Sequence, residues 1–443
     1  MRAVILGGSI AGLLAAQALA QYVDEVVVVE RDRLLAGPRP GVPQSAHLHA
    51  LVHRGLREIE HLLPGFAADL VAAGAGAFDF AADAAIYNPT GWSKRFRSSL
   101  TIYGASRVLM ESVLRERVRM HPRVHLRCGH AVEGLIGDAR TVTGVRLHAT
   151  PAPIAADLVV DATGRGSRAT HWLTELGCPP VPEVVIDAHI GYASRQFEIP
   201  EHHLGDWHAC YIQLAAPDRP RGAVLAPIED NRWIVSLLGV KSHRPPTAEE
   251  NFLRFARSLP TQAIADALTE ATPLTPIIAT HATSNRRRYF EHAHGQPTNL
   301  VHLGDAVCSL NPIYAQGMST AAAGAALLAQ CCRARPHRTD LAPRFHRRLA
   351  HINNWAWQLA TTTDLSWPTT AGGPPTLIQR VTDRYAKHVF TGATDNPQVA
   401  RAVLDVLHLL RPPRSLLAPP TLIRTLRGAH VDHRHRSRPP TSN

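Results

Sequence analysis

Residues 3–30 read AVILGGSIAGLLAAQALAQYVDEVVVVE, and the order of their parts decides the fold class. The short apolar run Ala3–Leu6 leads into a glycine-bearing turn, GGSIAG, at Gly7–Gly12. Helical composition follows from Ile10 to Gln21, and EVVVVE at Glu25–Glu30 has the unbroken, β-branched character of a strand covered on both faces. Strand, turn, helix and strand in this order form a βαβ unit, the opening of a parallel sheet. A glycine turn lets the backbone approach a pyrophosphate. The helix N-terminus adds N–H groups and a positive dipole, and a carboxylate ending the second strand can bind ribose hydroxyls. Gly7, Ser9, Ile10, Ala11, Gly12, Glu30 and the adjoining Arg31 are therefore expected around a dinucleotide. Ser9 stands where the GxGxxG pattern has its middle glycine, which narrows the phosphate space slightly.

Such a turn serves NAD and FAD alike, and two distant segments favour FAD. The first is Asp161-Ala-Thr-Gly164-Arg165-Gly166-Ser167-Arg168, after the apolar strand Asp157–Asp161, where Gly164 and Gly166 permit close backbone approach. The second is Gly304-Asp305, after a strand at Leu300–Leu303, followed by Asn311-Pro312-Ile313-Tyr314-Ala315-Gln316-Gly317-Met318 and a small-residue helix to Cys332. Asp305 is placed to accept from a ribityl hydroxyl. Pro312, Gln316, Gly317 and Met318 form a turn and helix start whose N–H groups would face the polar edge of a flavin.

Between these segments the pattern changes. From Val184 to Val240 the chain carries β-like runs, VVIDAHIGYASRQFEI, HACYIQLAAP, GAVLAPI and RWIVSLLGV, the last two joined by the turn residues Glu229-Asp230-Asn231. The expected architecture is α/β: a Rossmann-like FAD-binding domain, an inserted antiparallel β substrate domain and a helical C-terminal segment. Boundaries fall at 1–175 and 286–340 for the FAD-binding domain, 176–285 for the β-rich domain, 341–428 for the helical segment and 429–443 for a disordered tail. Helices are expected near Arg54–Leu63 and Ser106–Met120, with an irregular stretch at Gly37–His53. Tyr192, Phe197, Tyr211 and Trp233 are the candidate substrate-lining residues of the inserted sheet.

Composition narrows the classes. With 45% apolar and 19% charged residues over 443 positions, the chain reads as a globular enzyme. The net charge of +11 is scattered arginine charge, with lysine only at Lys94, Lys241 and Lys387, which argues against nucleic acid as partner. Cys128, Cys178, Cys210, Cys308, Cys331 and Cys332 form no CxxC pair, so no zinc or disulfide framework is expected. The apolar start is broken by Gly7-Gly8-Ser9, unlike a signal peptide, and no run reaches the roughly 20 apolar residues of a membrane span, so a cytoplasmic protein is expected.

The three segments, in this order, resemble the signatures of the group A flavoprotein monooxygenases, the family of aromatic hydroxylases and squalene-type epoxidases. Within it, GVPQSAHLH at Gly41–His49, SRVLME at Ser106–Glu111, GDAVCSLNPIYAQGM at Gly304–Met318 and WQLATTTD at Trp357–Asp364 are similar to the epoxidases of polyether-antibiotic biosynthesis. The resemblance implies that Arg107 reaches the phosphate side of FAD, that Gln44 and His47 lie near the cofactor, and that Asp161 and Gly164 serve both FAD and NAD(P)H. It further implies a monooxygenase reduced by NADPH or NADH. Through a flavin C4a-hydroperoxide, such an enzyme would insert one atom of O2 into an apolar natural-product substrate. Alkene epoxidation is favoured over aromatic hydroxylation, and a flavin dehydrogenase or reductase without oxygen insertion is the remaining alternative. Ala315 departs from the family's usual glycine. No catalytic acid or base is identified.

Other residues invite sharper readings. His47, His49 and His53 lack acidic or cysteine companions and read as a polar loop rather than a metal site. Trp355-Ala-Trp357 lacks the Ile-Pro of flavin-dependent halogenases and reads as a helix packing two aromatics on the core. Arg286-Arg287-Arg288 could suit a 2′-phosphate, yet reads better as a solvated charge cluster, and Cys308 as a small buried residue.

Overall fold

The computed structural model describes residues 1–34, 37–201, 205–334, 340–374 and 376–427; the C-terminal tail expected to be disordered lies outside them. Five parallel strands run in the order Leu300–His302, Leu158–Asp161, Arg2–Leu6, Glu25–Glu30 and Val124–Cys128. Ala3–Leu6 are fully buried in the central strand, as an unbroken apolar run requires when both faces of a parallel sheet are covered. The helix Gly317–Ala334 packs on the N-terminal helix Ile10–Leu19 and on His53–Leu62. Small side chains allow this approach: a Cβ at Gly55 would stand 2.3 Å from Ser319 Oγ. The expected helix at Ser106–Met120 spans Arg107–Arg119, with the Ser106 hydroxyl capping it by accepting from Leu109 N–H at 3.1 Å.

The second sheet has seven strands, in the order Ile278–Thr280, Ile190–Glu198, Arg232–Val240, Arg221–Ile228, Ala209–Ile212, Ala84–Asn88 and Gly91–Trp92. It is antiparallel except where Ala84–Asn88 runs parallel to Ala209–Ile212. The sequence pattern gives its strands only between Val184 and Val240; Ala84–Asn88 and Gly91–Trp92 at one edge and Ile278–Thr280 at the other are too short and mixed to stand out. The hairpin at Glu229–Asn231 is present, with Asp230 and Asn231 at φ 61° and 54°, a conformation these side chains tolerate.

Pleat parity divides this sheet into two environments. Phe197 lies opposite Trp233, and both pack with Phe252, Phe255 and Ile264 from the helices Glu249–Arg257 and Ala263–Glu270. The pairs Tyr192–Leu238, Ser194–Ser236, Val224–Ser236 and Tyr211–Val224 lie on the other face. Over that face stand the C-terminal helices Leu341–Asp364, Leu377–Asp395 and Pro397–Leu407, with Pro419–Arg427 packed on the last two. Among the described residues, no helix is long and apolar enough to cross a membrane.

Candidate functional site

The glycine turn is fixed by clearance. Gly7 adopts φ 99°, and a Cβ there would lie 2.6 Å from Ala162 O; one at Gly12 would lie 1.8 Å from Gly7 O. The turn is thus pressed against both the Leu158–Asp161 strand and its own helix. Ser9 is tied into this turn: its hydroxyl donates to Glu111 at 2.8 Å and accepts from Arg107 at 2.8 Å. Glu30, buried at the end of its strand, accepts from Gly8 N–H at 2.6 Å and from Asp32 N–H at 3.0 Å. Arg39 stands 3.2 Å from Glu30, 3.1 Å from Asp32 and 2.6 Å from Glu111. Arg39, Asp32 and Glu111 escaped the reading from sequence because Arg39 and Glu111 lie 72 residues apart without a local pattern. Arg31 is exposed and donates to Gly41 O at 3.4 Å, and Gly41 N–H in turn donates to Asp32 at 2.9 Å.

Asp161 is enclosed, its carboxylate accepting from Thr163 N–H at 3.0 Å and from the Ser167 hydroxyl at 2.6 Å. Its oxygens thereby shape the turn that carries Gly164 at φ 77°. Gly304, at φ 63°, lets its turn press on the N-terminal helix, since a Cβ there would lie 3.0 Å from Ala11 Cβ. No hydrogen bond from the described residues reaches the Asp305 carboxylate. Burial raises its pKa above the ordinary value, against the opposing pull of Arg165, Arg107 and Arg286.

The segment after Asp305 turns sharply. Pro312–Tyr314 is a single 3₁₀ turn, Ala315 takes the left-handed conformation at φ 53°, and Gly317 and Met318 start the long helix. Ala315 thus adopts the backbone usual for glycine, at a cost of about 1–2 kcal/mol. Gln316 is 2% exposed; its Nε2 donates to Leu407 O at 3.2 Å, whereas its Oε1 has no partner among the described residues. Gln44 is half-buried in the turn Pro43–Ala46, and His47 sits against the second sheet with Nδ1 2.8 Å from Ser194 Oγ. Burial holds the His47 pKa down to about 4, so the ring is neutral at neutral pH.

A buried polar network backs this segment. Asp364, fully buried at the end of its helix, accepts from Tyr314 Oη at 2.6 Å, from Asn285 Nδ2 at 2.6 Å and from Asn311 Nδ2 at 3.2 Å. Tyr192 Oη accepts from Ile313 N–H at 2.8 Å and donates to Asn311 Oδ1. Burial pushes the Asp364 carboxyl up to about 6 against these donors.

In front of the network lies a cavity of about 1780 Å³. Ile313, Tyr314, Ala315 and Gln316 form one wall, and Tyr211, Val224, Ala226 and Ile234 of the second sheet form another. The helical C-terminal segment closes it with Trp357, Tyr385 and Leu407. Of the four candidate lining residues, Tyr211 reaches the cavity, and Tyr192 stands behind its wall. Phe197 and Trp233 are carried by pleat parity to the opposite face.

The arginine run is enclosed rather than solvated. Arg287 and Arg288 are each 4% exposed; Arg287 pairs with Glu291 at 2.7 Å, and Arg288 with Glu183 at 2.8 Å. The strand pairings of Asn285–Arg288 draw these side chains inward, a feature invisible in a bare run of arginines. Trp357 is buried in the core and Trp355 packs beside it. Cys308 is buried, its thiol pushed up to about 12 by desolvation.

A family model described as FAD binding domain matches residues 1–332. The chain belongs to the FAD-binding domain family. A curated relative, Protein Rv3254 of Mycobacterium tuberculosis (strain ATCC 25618 / H37Rv), is 33% identical over 388 residues, covering 82% of this chain and 80% of its own. Among solved structures, PqsL of Pseudomonas aeruginosa, a probable FAD-dependent monooxygenase, is similar with a TM-score of 0.63 and 18% identity, over 82% of this chain and 96% of its own. The flavin-dependent brominase Bmp2 is similar with a TM-score of 0.63 and 15% identity, over 92% of this chain and 94% of its own. At such identities the likeness is one of fold. The family's cofactor fits what the residues offer. Gly7 and Gly12 let the turn close on its own strand and helix and put no side chain of their own over its backbone N–H groups; among the described residues Arg107 Nε and Gln316 Oε1 are buried without protein partners, and Asp305 has an open carboxylate.

Proposed function

We propose that this family member is an FAD-dependent monooxygenase that uses NADPH or NADH and O2 to insert one oxygen atom into a large apolar substrate. Bound FAD would supply the oxygen-transfer chemistry. Gly7–Gly12 and Arg107 would hold its pyrophosphate, Glu30 its adenosine ribose, Asp305 its ribityl chain, and Pro312–Met318 its ring. The cavity carries this reading: about 1780 Å³ exceeds the roughly 300–1,000 Å³ of an ordinary ligand site, leaving space for a flavin ring and a substrate larger than one aromatic ring. Tyr211, Val224, Ala226 and Ile234 would orient that substrate and exclude water from the reacting centre.

An extended apolar chamber favours an alkene of a polyketide or isoprenoid product, and hence epoxidation; aromatic hydroxylation uses the same chamber and is the second reading. The test is purified protein reconstituted with FAD, reduced by NADPH or NADH without oxygen, then given ¹⁸O2 with alkene and aromatic substrates. One labelled oxygen in the product is expected. Product formed without label would replace the reading by a dehydrogenase or reductase, and failure to bind FAD would end it.

A further inference from the structure

We propose that Tyr314 and Asp364 form a buried proton relay that delivers a proton to an anionic oxygen in the cavity beside Ala315 and Gln316. The inference rests on the reading of that cavity as the reaction chamber. Tyr314 is the member of the network that both lines the cavity and donates to Asp364, at 2.6 Å. The other donors to the Asp364 side chain are the Asn285 and Asn311 amides, which keep their protons throughout the working pH range and act as fixed supports. Tyr192 reaches Asn311 and Ile313 instead.

The charged and titratable surroundings favour a carboxyl that can hold a proton. No cation pairs with the Asp364 side chain among the described residues, and Asp187 adds negative potential. Tyr192, Tyr211 and Tyr314 are all held neutral, burial raising each phenol above its ordinary pKa. Arg165 opposes the shift at Tyr192. With its carboxyl titrating at about 6, Asp364 is poised for general acid work close to neutral pH.

The step balances without an oxidant or reductant. In the protonated state the Asp364 O–H donates to Tyr314 Oη, freeing the phenolic O–H to point into the cavity. The phenolic O–H bond breaks as its proton passes to an alkoxide of substrate or product. The carboxyl O–H bond breaks as its proton replaces the one Tyr314 gave up. A neutral tyrosine, a carboxylate and an alcohol remain.

Two readouts test the relay. In flavin-free protein, infrared difference spectra across the acid range should show a buried carboxyl band titrating with a midpoint of about 6 in wild type. The band should vanish in Asp364→Asn and shift to higher pH in Tyr314→Phe, where the carboxylate loses a donor. In the FAD-loaded enzyme, Tyr314→Phe should lower kcat by about a hundredfold, the scale of a lost general acid, while KM changes little. The alkaline fall of wild-type turnover should disappear in both variants.

A carboxyl that does not titrate in this range, or a Tyr314→Phe enzyme with wild-type kcat, overturns the relay even where oxygen is inserted. If wild type binds no FAD, the functional reading fails on the visible spectrum, and the pair stands or falls on the infrared titration alone. Should Asp364→Asn fail to fold, Tyr314→Phe, which keeps the ring, carries both readouts.

Discussion

At the glycine turn, Arg39 stands within 3.2 Å of Glu30, Asp32 and Glu111; at the cavity end, Asp364 is held at 2.6 Å by Tyr314 and Asn285, with no cation pairing with it among the described residues. Both places enclose carboxylates, and they solve the cost of doing so differently. Charge answers charge at the turn, where one guanidinium faces three carboxylates. Neutral donors answer the charge at the cavity, so protonation lies within reach. A site that must hold a phosphate group and one that must exchange protons call for these two solutions respectively.

The comparison can be broken most severely at Arg39. Arg39→Ala strips the shared cation from Glu30 and Asp32, while Glu111 keeps Arg107 and Arg115, and a stability loss of about 3–5 kcal/mol is expected in urea denaturation. A loss under about 1 kcal/mol would show that water already screens the cluster. Gly12→Ala comes next: a methyl 1.8 Å from Gly7 O must displace the turn, with a loss of about 1–3 kcal/mol and no retained flavin absorbance after gel filtration. Unchanged FAD retention would mean that the turn is not where the pyrophosphate binds.

The neutral end predicts a pH dependence of opposite origin. The folded carboxyl of Asp364 titrates at about 6, above its ordinary 3.8, so between those values the folded protein binds more proton than the unfolded chain. Its contribution therefore favours the folded state below this window and is lost as pH rises through it. The stability of wild type relative to Asp364→Asn should fall as pH rises through that window and then level off. A difference constant across it would show that Asp364 is ionised throughout. The smallest effect belongs to Ala315→Gly, which releases left-handed strain and should stabilise by at most about 1 kcal/mol in thermal melts. A loss of stability would reveal that the Ala315 methyl packs productively against the core.

The same contrast separates what was legible in the sequence from what was not. Gly7–Gly12, Glu30 and Gly304-Asp305 were readable because each rests on contiguous residues at strand ends, where local spacing encodes the turn. The α/β architecture and the helical C-terminal segment followed from hydrophobic periodicity. The ionic cluster of Arg39 and Glu111 and the network joining Tyr192, Asn285, Asn311 and Asp364 bring together residues 26 to 119 positions apart. No window of sequence records such pairings. The inserted sheet was recognised as β, yet which aromatics meet the cavity depended on register. Moving one position along a strand carried Trp233 away from a face that Ile234 lines.

The interleaving of the second sheet bears on how the chain is made. Ala84 pairs with Ala209, about 125 residues later. At about 5–20 residues per second, a ribosome takes roughly 6–25 s to deliver that partner. Until then Ala84–Asn88 has only the short Gly91–Trp92 strand beside it, too little to be stable alone, and Tyr87 and Trp92 face the crowded cell. The sheet wall of the cavity is finished only once the chain has been made to Thr280, and chaperone supply should govern the yield of folded protein more than the stability it finally attains.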